Sequence, residues 1–142
     1  MNETRGNAWD LLVDFDLLFI TTNGFIKNNG DAVMGRGIAL EAKKRYPNIA
    51  RLLGKQISQE GNHVHLLSSK LASFPVKHDW REKADIKLIE RSARQAIQLA
   101  NEHGLERILL PRPGCGNGGL NWRDVKLSLI NILDERFYIV SF

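Results

Sequence analysis

Twice along this chain a short apolar run feeds a glycine-rich loop, and the loop feeds a stretch with helical patterning. The first run is Leu17-Leu18-Phe19-Ile20-Thr21-Thr22, its loop spans Gly30 to Ala39, and a helix is predicted over Ile38 to Arg45. The second run is Arg107-Ile108-Leu109-Leu110, its loop spans Gly114 to Leu120, and a helix capped by Asn121 is predicted from Trp122 to about Leu133. Nearly continuous apolar, β-branched strands of this kind need cover on both faces. Two such units therefore call for a sheet with helices on each side, and they place both loops at the carboxyl ends of strands, where α/β folds hold ligands. The expected fold class is α/β: a three-layer α/β/α sandwich with a mixed central sheet.

The remaining segments fit that frame. Tyr46-Pro47 ends the first helix, because a residue before proline is pushed out of the α region, and a second helix is expected from Asn48 to about Gln56. Val64–Leu67 and Ala72–Val76 read as two short strands joined by a Ser68-Ser69-Lys70 turn. Ile86, Ile89, Ala93, Ala96, Ile97 and Ala100 recur at helical spacing within Ala84 to about Glu102, and Gly104 is a natural terminator. Phe137–Phe142 closes the chain as a strand. With 142 residues and no repeat, linker or low-complexity tract, the expectation is a single domain over 1–142.

Composition excludes more than it selects. No apolar run approaches the roughly 18 residues of a membrane span, and Met1–Arg5 has no secretory apolar core, so no membrane partner and a cytoplasmic location are expected. A lone Cys115 rules out an internal disulfide and a cysteine-rich zinc site. His63, His65, His78 and His103 have no ligand-like spacing, so no metal or cofactor is expected. The net charge of +4 is spread along the chain and fits either a solvated basic surface or an anionic partner.

The loops narrow the choice. Without Cβ atoms, backbone N–H groups come close to an anion, and a helix N-terminus adds a favourable dipole. Gly35-Arg36-Gly37 alone is compatible with a tight turn, but two such loops supply donors on both sides of a diphosphate. Neither carries Gly-Lys-Ser/Thr, and the first lacks the three-glycine dinucleotide pattern. Nucleoside triphosphate hydrolysis and nicotinamide redox chemistry thus lose their best support.

At this point a family resemblance emerges. A strand ending in Asn23-Gly24 and followed by Val33-Met34-Gly35-Arg36-Gly37-Ile38-Ala39 resembles the macrodomain pattern. Its Met-Gly-x-Gly-Ile-Ala form is similar to the branch containing terminal ADP-ribose glycohydrolases and DNA ADP-ribosyl glycohydrolase antitoxins. Phe74-Pro75-Val76-Lys77, with Trp80-Arg81 shortly after, resembles the antitoxin segment that carries an active-site lysine, and Pro111 through Trp122 resembles the branch's second phosphate loop. The likeness runs from Gly6 to Phe142. It implies an ADP-ribosyl hydrolase whose partners are ADP-ribose and ADP-ribosylated DNA or protein, with Lys77 and Asn23 catalytic. Ligand contacts are implied at Asn7, Ala8, Met34, Gly35, Gly37, Ile38 and Ala39 on one side. On the other they are implied at Gly114, Cys115, Gly116, Asn117, Gly118 and Phe142. A non-catalytic ADP-ribose-binding module, and a phosphatase or deacylase of small ADP-ribose derivatives, are the alternatives.

Two positions depart from the family pattern. Asn7 stands where macrodomains commonly use an Asp for the adenine amino group, and Gly118 stands where terminal glycohydrolases have an acidic residue. Other residues admit two roles each. Lys77 suits a cleft nucleophile or proton carrier, or a strand-end lysine reaching water. Asn23 suits a ribose contact or an Asx turn before Gly24, and Cys115 a nucleophile or a small packed residue. Phe142 suits adenine stacking or the core; of the three tryptophans, Trp80 is the one placed to line a groove.

Overall fold

The computed structural model describes residues 1–142. Strand β1 (Asn2–Arg5) is followed by a short helix α1 (Ala8–Leu11), a single 3-10 turn, and strand β2 (Leu17–Asn23). Helices α2 (Gly37–Arg45) and α3 (Ile49–Glu60) lead to strand β3 (Leu71–Lys77) and the long helix α4 (Ile86–His103). Strand β4 (Ile108–Pro111), helix α5 (Trp122–Leu129) and strand β5 (Phe137–Ser141) complete the chain.

Alternation along the strands creates the layers. In β2, Leu17 and Phe19 face α4 and α5, together with Phe74 of β3, Ile108 and Leu110 of β4, and Phe137 of β5. The intervening Leu18 and Ile20 face α2 and α3, meeting Ala39, Ala42, Ala50 and Leu53. Each of those four β2 side chains is at most 1% exposed, so both sheet faces are covered. This is the expected three-layer α/β/α arrangement.

The sheet itself is parallel throughout, in the order β1-β5-β4-β2-β3, which corrects the expectation of a mixed sheet. The supposed hairpin arm at Val64–Leu67 contributes only an isolated antiparallel bridge, Leu66 to Ala72. Around that bridge the Ser73 amide donates to His65 O and the Leu67 amide to Leu71 O, both at 2.8 Å, but the Val64 amide donates to Gln95 Oε1 on α4 at 2.9 Å and the pairing goes no further. β1 went unforeseen because its Asn-Glu-Thr-Arg sequence has no apolar alternation; it is a mostly exposed edge strand.

One irregularity in the sheet bears on function. β2 and β3 pair in step from Leu18–Leu71 to Thr22–Pro75, and the next pair is Asn23–Lys77, so Val76 is skipped. Pro75 has no N–H to give a ladder, and its place on the edge strand β3 is the kind of site where proline is tolerated. The resulting bulge re-aims the strand end. It sets Asn23 and Lys77 side by side.

Helix α3 fixes where the first glycine loop begins. The Ala32 amide donates to Ala50 O at 2.9 Å, and a Cβ built on Gly54 would lie 2.0 Å from Gly30 O and 2.9 Å from Ala32 N. Helix propensity alone would favour Ala at position 54 by roughly 0.5–1 kcal/mol. Overpacking against backbone costs about 1–3 kcal/mol or more, so the clash wins. Gly54→Ala is therefore expected to lower the thermal midpoint by several degrees in scanning calorimetry; an unchanged or raised midpoint would show that the loop is not pinned here.

Candidate active site

A cleft of about 870 Å³ opens at the carboxyl ends of β2, β3 and β4. That volume lies within the range of small-ligand sites. One wall is the segment from Val33 to Ala39, and the opposite wall runs from Gly114 to Gly119. Asn23 and Lys77 lie between them, with Trp80 to Lys83 along the rim.

Both walls offer backbone donors. The amides from Met34 through Ala39 donate to no group in the chain, and α2 has no side-chain cap at its N-terminus. Across the cleft, the amides of Gly116, Asn117 and Gly118 are likewise without an acceptor. A helix N-terminus leaves its first amides open for an acceptor, and here both sets of donors border one cleft. Gly37 takes a φ of +58°, which a side chain disfavours, and a Cβ built on it would lie 3.6 Å from the side-chain Nδ2 of Asn117. The two loops thus approach each other closely enough to share one ligand.

The strand-end pair is held from both sides. Lys77 Nζ donates to Asn117 O at 3.3 Å and to Trp80 O at 3.4 Å, so its ammonium joins the second loop to the rim. Asn23 Oδ1 accepts from the Phe25 amide at 2.9 Å, and its Nδ2 donates to Val33 O at 3.0 Å. The Asx turn is therefore present, and it leaves one hydrogen of the Asn23 amide free to bond elsewhere.

The other expected contacts separate into two groups. Met34, Gly35, Gly37, Ile38, Ala39, Gly114, Gly116, Asn117 and Gly118 all line the cleft. Asn7, Ala8, Cys115 and Phe142 do not. Asn7 caps α1, its Oδ1 accepting from Trp9 and Asp10, which occupies the oxygen a ligand amino group would need. Ala8 opens the same helix, at the carboxyl end of β1, where the Gly6 amide donates to Ser141 O of β5 at 2.8 Å. Phe142 follows β5 and is 87% exposed, so it is not a core residue. Cys115 Sγ donates to Pro113 O at 3.4 Å, and burial pushes its thiol pKa up, which disfavours the thiolate a nucleophile needs.

Some lining residues have no role assigned by the sequence. Arg36, Arg81, Lys83 and Arg112 bring positive charge to the cleft against the single acid Glu82. Arg81 is anchored by Asp79, through Nε at 2.9 Å and Nη2 at 2.6 Å, and lies over the rings of Phe25 and Trp80. That pairing holds the Asp79 carboxyl down at about 2. Thr22 also lines the cleft, and its buried Oγ1 has no partner. Charges scattered along a sequence give no hint that they converge. None of the four histidines lines the cleft: His63 Nδ1 meets Gln95 Nε2 at 2.8 Å, His65 Nε2 meets Gly61 O at 2.9 Å, His78 Nε2 meets Asp85 Oδ2 at 2.9 Å, and His103 is exposed at the end of α4.

The Macro domain family model matches residues 28–128, both phosphate-type loops included. The chain belongs to the Macro domain family. A DNA ADP-ribosyl glycohydrolase of Mycobacterium tuberculosis is 28% identical over 136 residues, covering 84% of this chain and 37% of the relative. The chain thus spans little more than a third of that relative's length. Among solved structures, the macrodomain of Mycobacterium tuberculosis DarG superposes with a TM-score of 0.76 at 29% identity, over 98% of each chain. The macrodomain of Thermus aquaticus DarG gives 0.80 at 25% identity, covering 99% of this chain and 97% of the other.

This macrodomain has a steric reason for glycine at position 118. A Cβ there would sit 2.5 Å from Gly114 O and 2.8 Å from Ala84 Cβ, while the Ala84 amide donates to Gly118 O at 3.0 Å. A carboxylate cannot be added without moving the loop. Gly116 differs, since a Cβ there meets nothing within 4 Å. Gly118→Asp should therefore lose about 1–3 kcal/mol of stability and Gly116→Val well under that in chemical denaturation. Equal losses would mean that the second loop is not packed as described.

Proposed function

We propose that this chain is an ADP-ribosyl hydrolase that removes ADP-ribose from a modified macromolecule, acting as a single macrodomain over residues 1–142 in the cytoplasm. The observation that carries the reading is the pair of facing loops with free amides, set directly beside Asn23 and Lys77. A diphosphate between the loops would receive donors from Met34–Ala39 on one side and Gly116–Gly118 on the other. The distal ribose would then lie over the bulged ends of β2 and β3, and the adenosine would extend toward Asn7, Ala8 and Phe142 at the ends of β1 and β5. The parallel sheet supports that direction, because all five strands end on the cleft side.

Hydrolysis at the anomeric carbon needs a nucleophile there and a proton for the departing group. Lys77 provides an amine able to attack the opened sugar or to carry the proton, and the free N–H of Asn23 orients a ribose hydroxyl. DNA is the favoured carrier of the ADP-ribose. Arg36 and Lys83 line the cleft without an acidic partner and extend its positive rim beyond the loops, and the Mycobacterium tuberculosis relative bears the name DNA ADP-ribosyl glycohydrolase. The absence of room for an acid at Gly118 favours a second reading, a module that binds ADP-ribose without turning it over.

Turnover of ADP-ribosylated DNA, ADP-ribosylated protein and ADP-ribose 1″-phosphate, measured side by side, separates these readings. The expected result is release of ADP-ribose from DNA; no turnover of any substrate would leave the binding module. Lys77→Ala should lower turnover by about 100-fold or more while ADP-ribose affinity stays within a few-fold, since the loops supply most of the binding. Lys77→Arg keeps the charge but cannot deprotonate near neutral pH, so it should be as inactive as Ala. An active Lys77→Arg protein would reduce the residue to a source of charge. Gly116→Val should fold and yet weaken ADP-ribose binding by roughly tenfold or more, because its side chain occupies the approach to the free amides.

A further inference from the structure

Because β3 is the edge strand, the carbonyls at its cleft end need donors from outside the sheet. Ser92 Oγ donates to Pro75 O at 2.7 Å, the Asp85 amide to Val76 O at 2.9 Å, and Asn62 Nδ2 to Lys77 O at 3.0 Å. Asn62 is the last of these, and it holds the backbone of the lysine itself. The main-chain carbonyl of Asn62 accepts from the Arg91 guanidinium on α4, which ties the residue to the longest helix in the molecule, while its side-chain Oδ1 is buried without a partner.

The same amide also touches the other strand end. Gly24 follows Asn23, and a Cβ built on it would lie 2.8 Å from Asn62 Cγ and Nδ2 and 3.0 Å from His78 O. The half-buried Asn62 side chain therefore contacts both segments that carry the candidate catalytic pair. It sits outside the cleft, and nothing in its own sequence surroundings, Gly61-Asn62-His63, suggests a role.

Resting on the hydrolase reading above, we propose that Asn62 is a positioning residue, which fixes the Lys77 carbonyl against the Asn23-Gly24 turn and so aims the Lys77 amine at the ribose. Leverage makes this consequential. A backbone rotation of about 10° at the base of a side chain about 6 Å long displaces its tip by about 1 Å, and an error of that size costs roughly a hundredfold in rate. Asn62 supplies the restraint that a neighbouring strand would give at an inner position of the sheet.

The test compares Asn62→Ala and Asn62→Asp with a matched control, Ile108→Val, which trims a core residue at the opposite end of β4. Asp keeps the shape of Asn but removes the donor. Both Asn62 variants should lower kcat on ADP-ribosylated oligonucleotide by about tenfold or more and leave the Kd for ADP-ribose within about threefold. The control should match them in thermal shift but keep wild-type kcat. A second readout does not depend on turnover: acylation of Lys77 by a small amine-reactive ester, followed by peptide mass spectrometry. Freed from its anchored geometry, Lys77 should label several-fold faster in the Asn62 variants and at the wild-type rate in the control. Asn62 variants with normal kcat and normal labelling overturn the proposal. A wild-type protein without turnover would remove the hydrolase reading, and the labelling comparison would then decide alone whether Asn62 sets the position of Lys77.

Discussion

Backbone amides without protein partners are the feature around which this molecule is built. Two runs of them lie in one cleft, at Met34–Ala39 and Gly116–Gly118, where most of the residues that carry them are open to an incoming acceptor. They persist because the loops are fixed from behind. Gly54 lets α3 press on Gly30 and Ala32, and Gly118 lets the second loop lie against Gly114 and Ala84. The loops therefore cannot relax into turns that would satisfy their own donors. The open amides are a product of tight packing on the far side of each loop, which links core geometry directly to anion recognition.

A second consequence of the architecture concerns the strand ends. A parallel sheet directs every carboxyl end to the same side, so all the groups that could meet one extended ligand lie along a single edge. The bulge at Thr22/Asn23 then corrects the register locally and makes Asn23 the partner of Lys77. Without it, a lysine two residues beyond Pro75 would fall out of step with the asparagine. The cations around the cleft act over a longer range, and they add attraction for a polyanion without determining where the diphosphate sits.

Much of this was legible in the sequence, for identifiable reasons. Leu17–Ile20 and Ile108–Leu110 are so uniformly apolar that they require cover on both faces, and the glycines after them mark the loops. Met34, Gly35, Gly37, Ile38, Ala39, Gly114, Gly116, Asn117 and Gly118, expected from that pattern and the family resemblance, line the cleft, whereas Cys115 does not and packs with its Sγ against Pro113 O. Strand direction was not legible: Ala72–Val76 has the alternation of a hairpin arm, yet its antiparallel pairing is confined to His65–Leu67, with the Val64 amide held by Gln95 instead. β1 is too polar and exposed to carry a signal. Asn62 was invisible as well, since its importance arises from a contact with Lys77, fifteen positions away.

The central claim is that ADP-ribose lies between two sets of free backbone amides. It is tested most directly by a two-dimensional amide NMR titration with ADP-ribose. The expected result is that the largest saturable shifts fall on Met34–Ala39 and Gly116–Gly118, with the amides of α5 and the amino ends of the strands unmoved. Saturable shifts centred elsewhere, or a spectrum unchanged at millimolar ADP-ribose, would contradict the account.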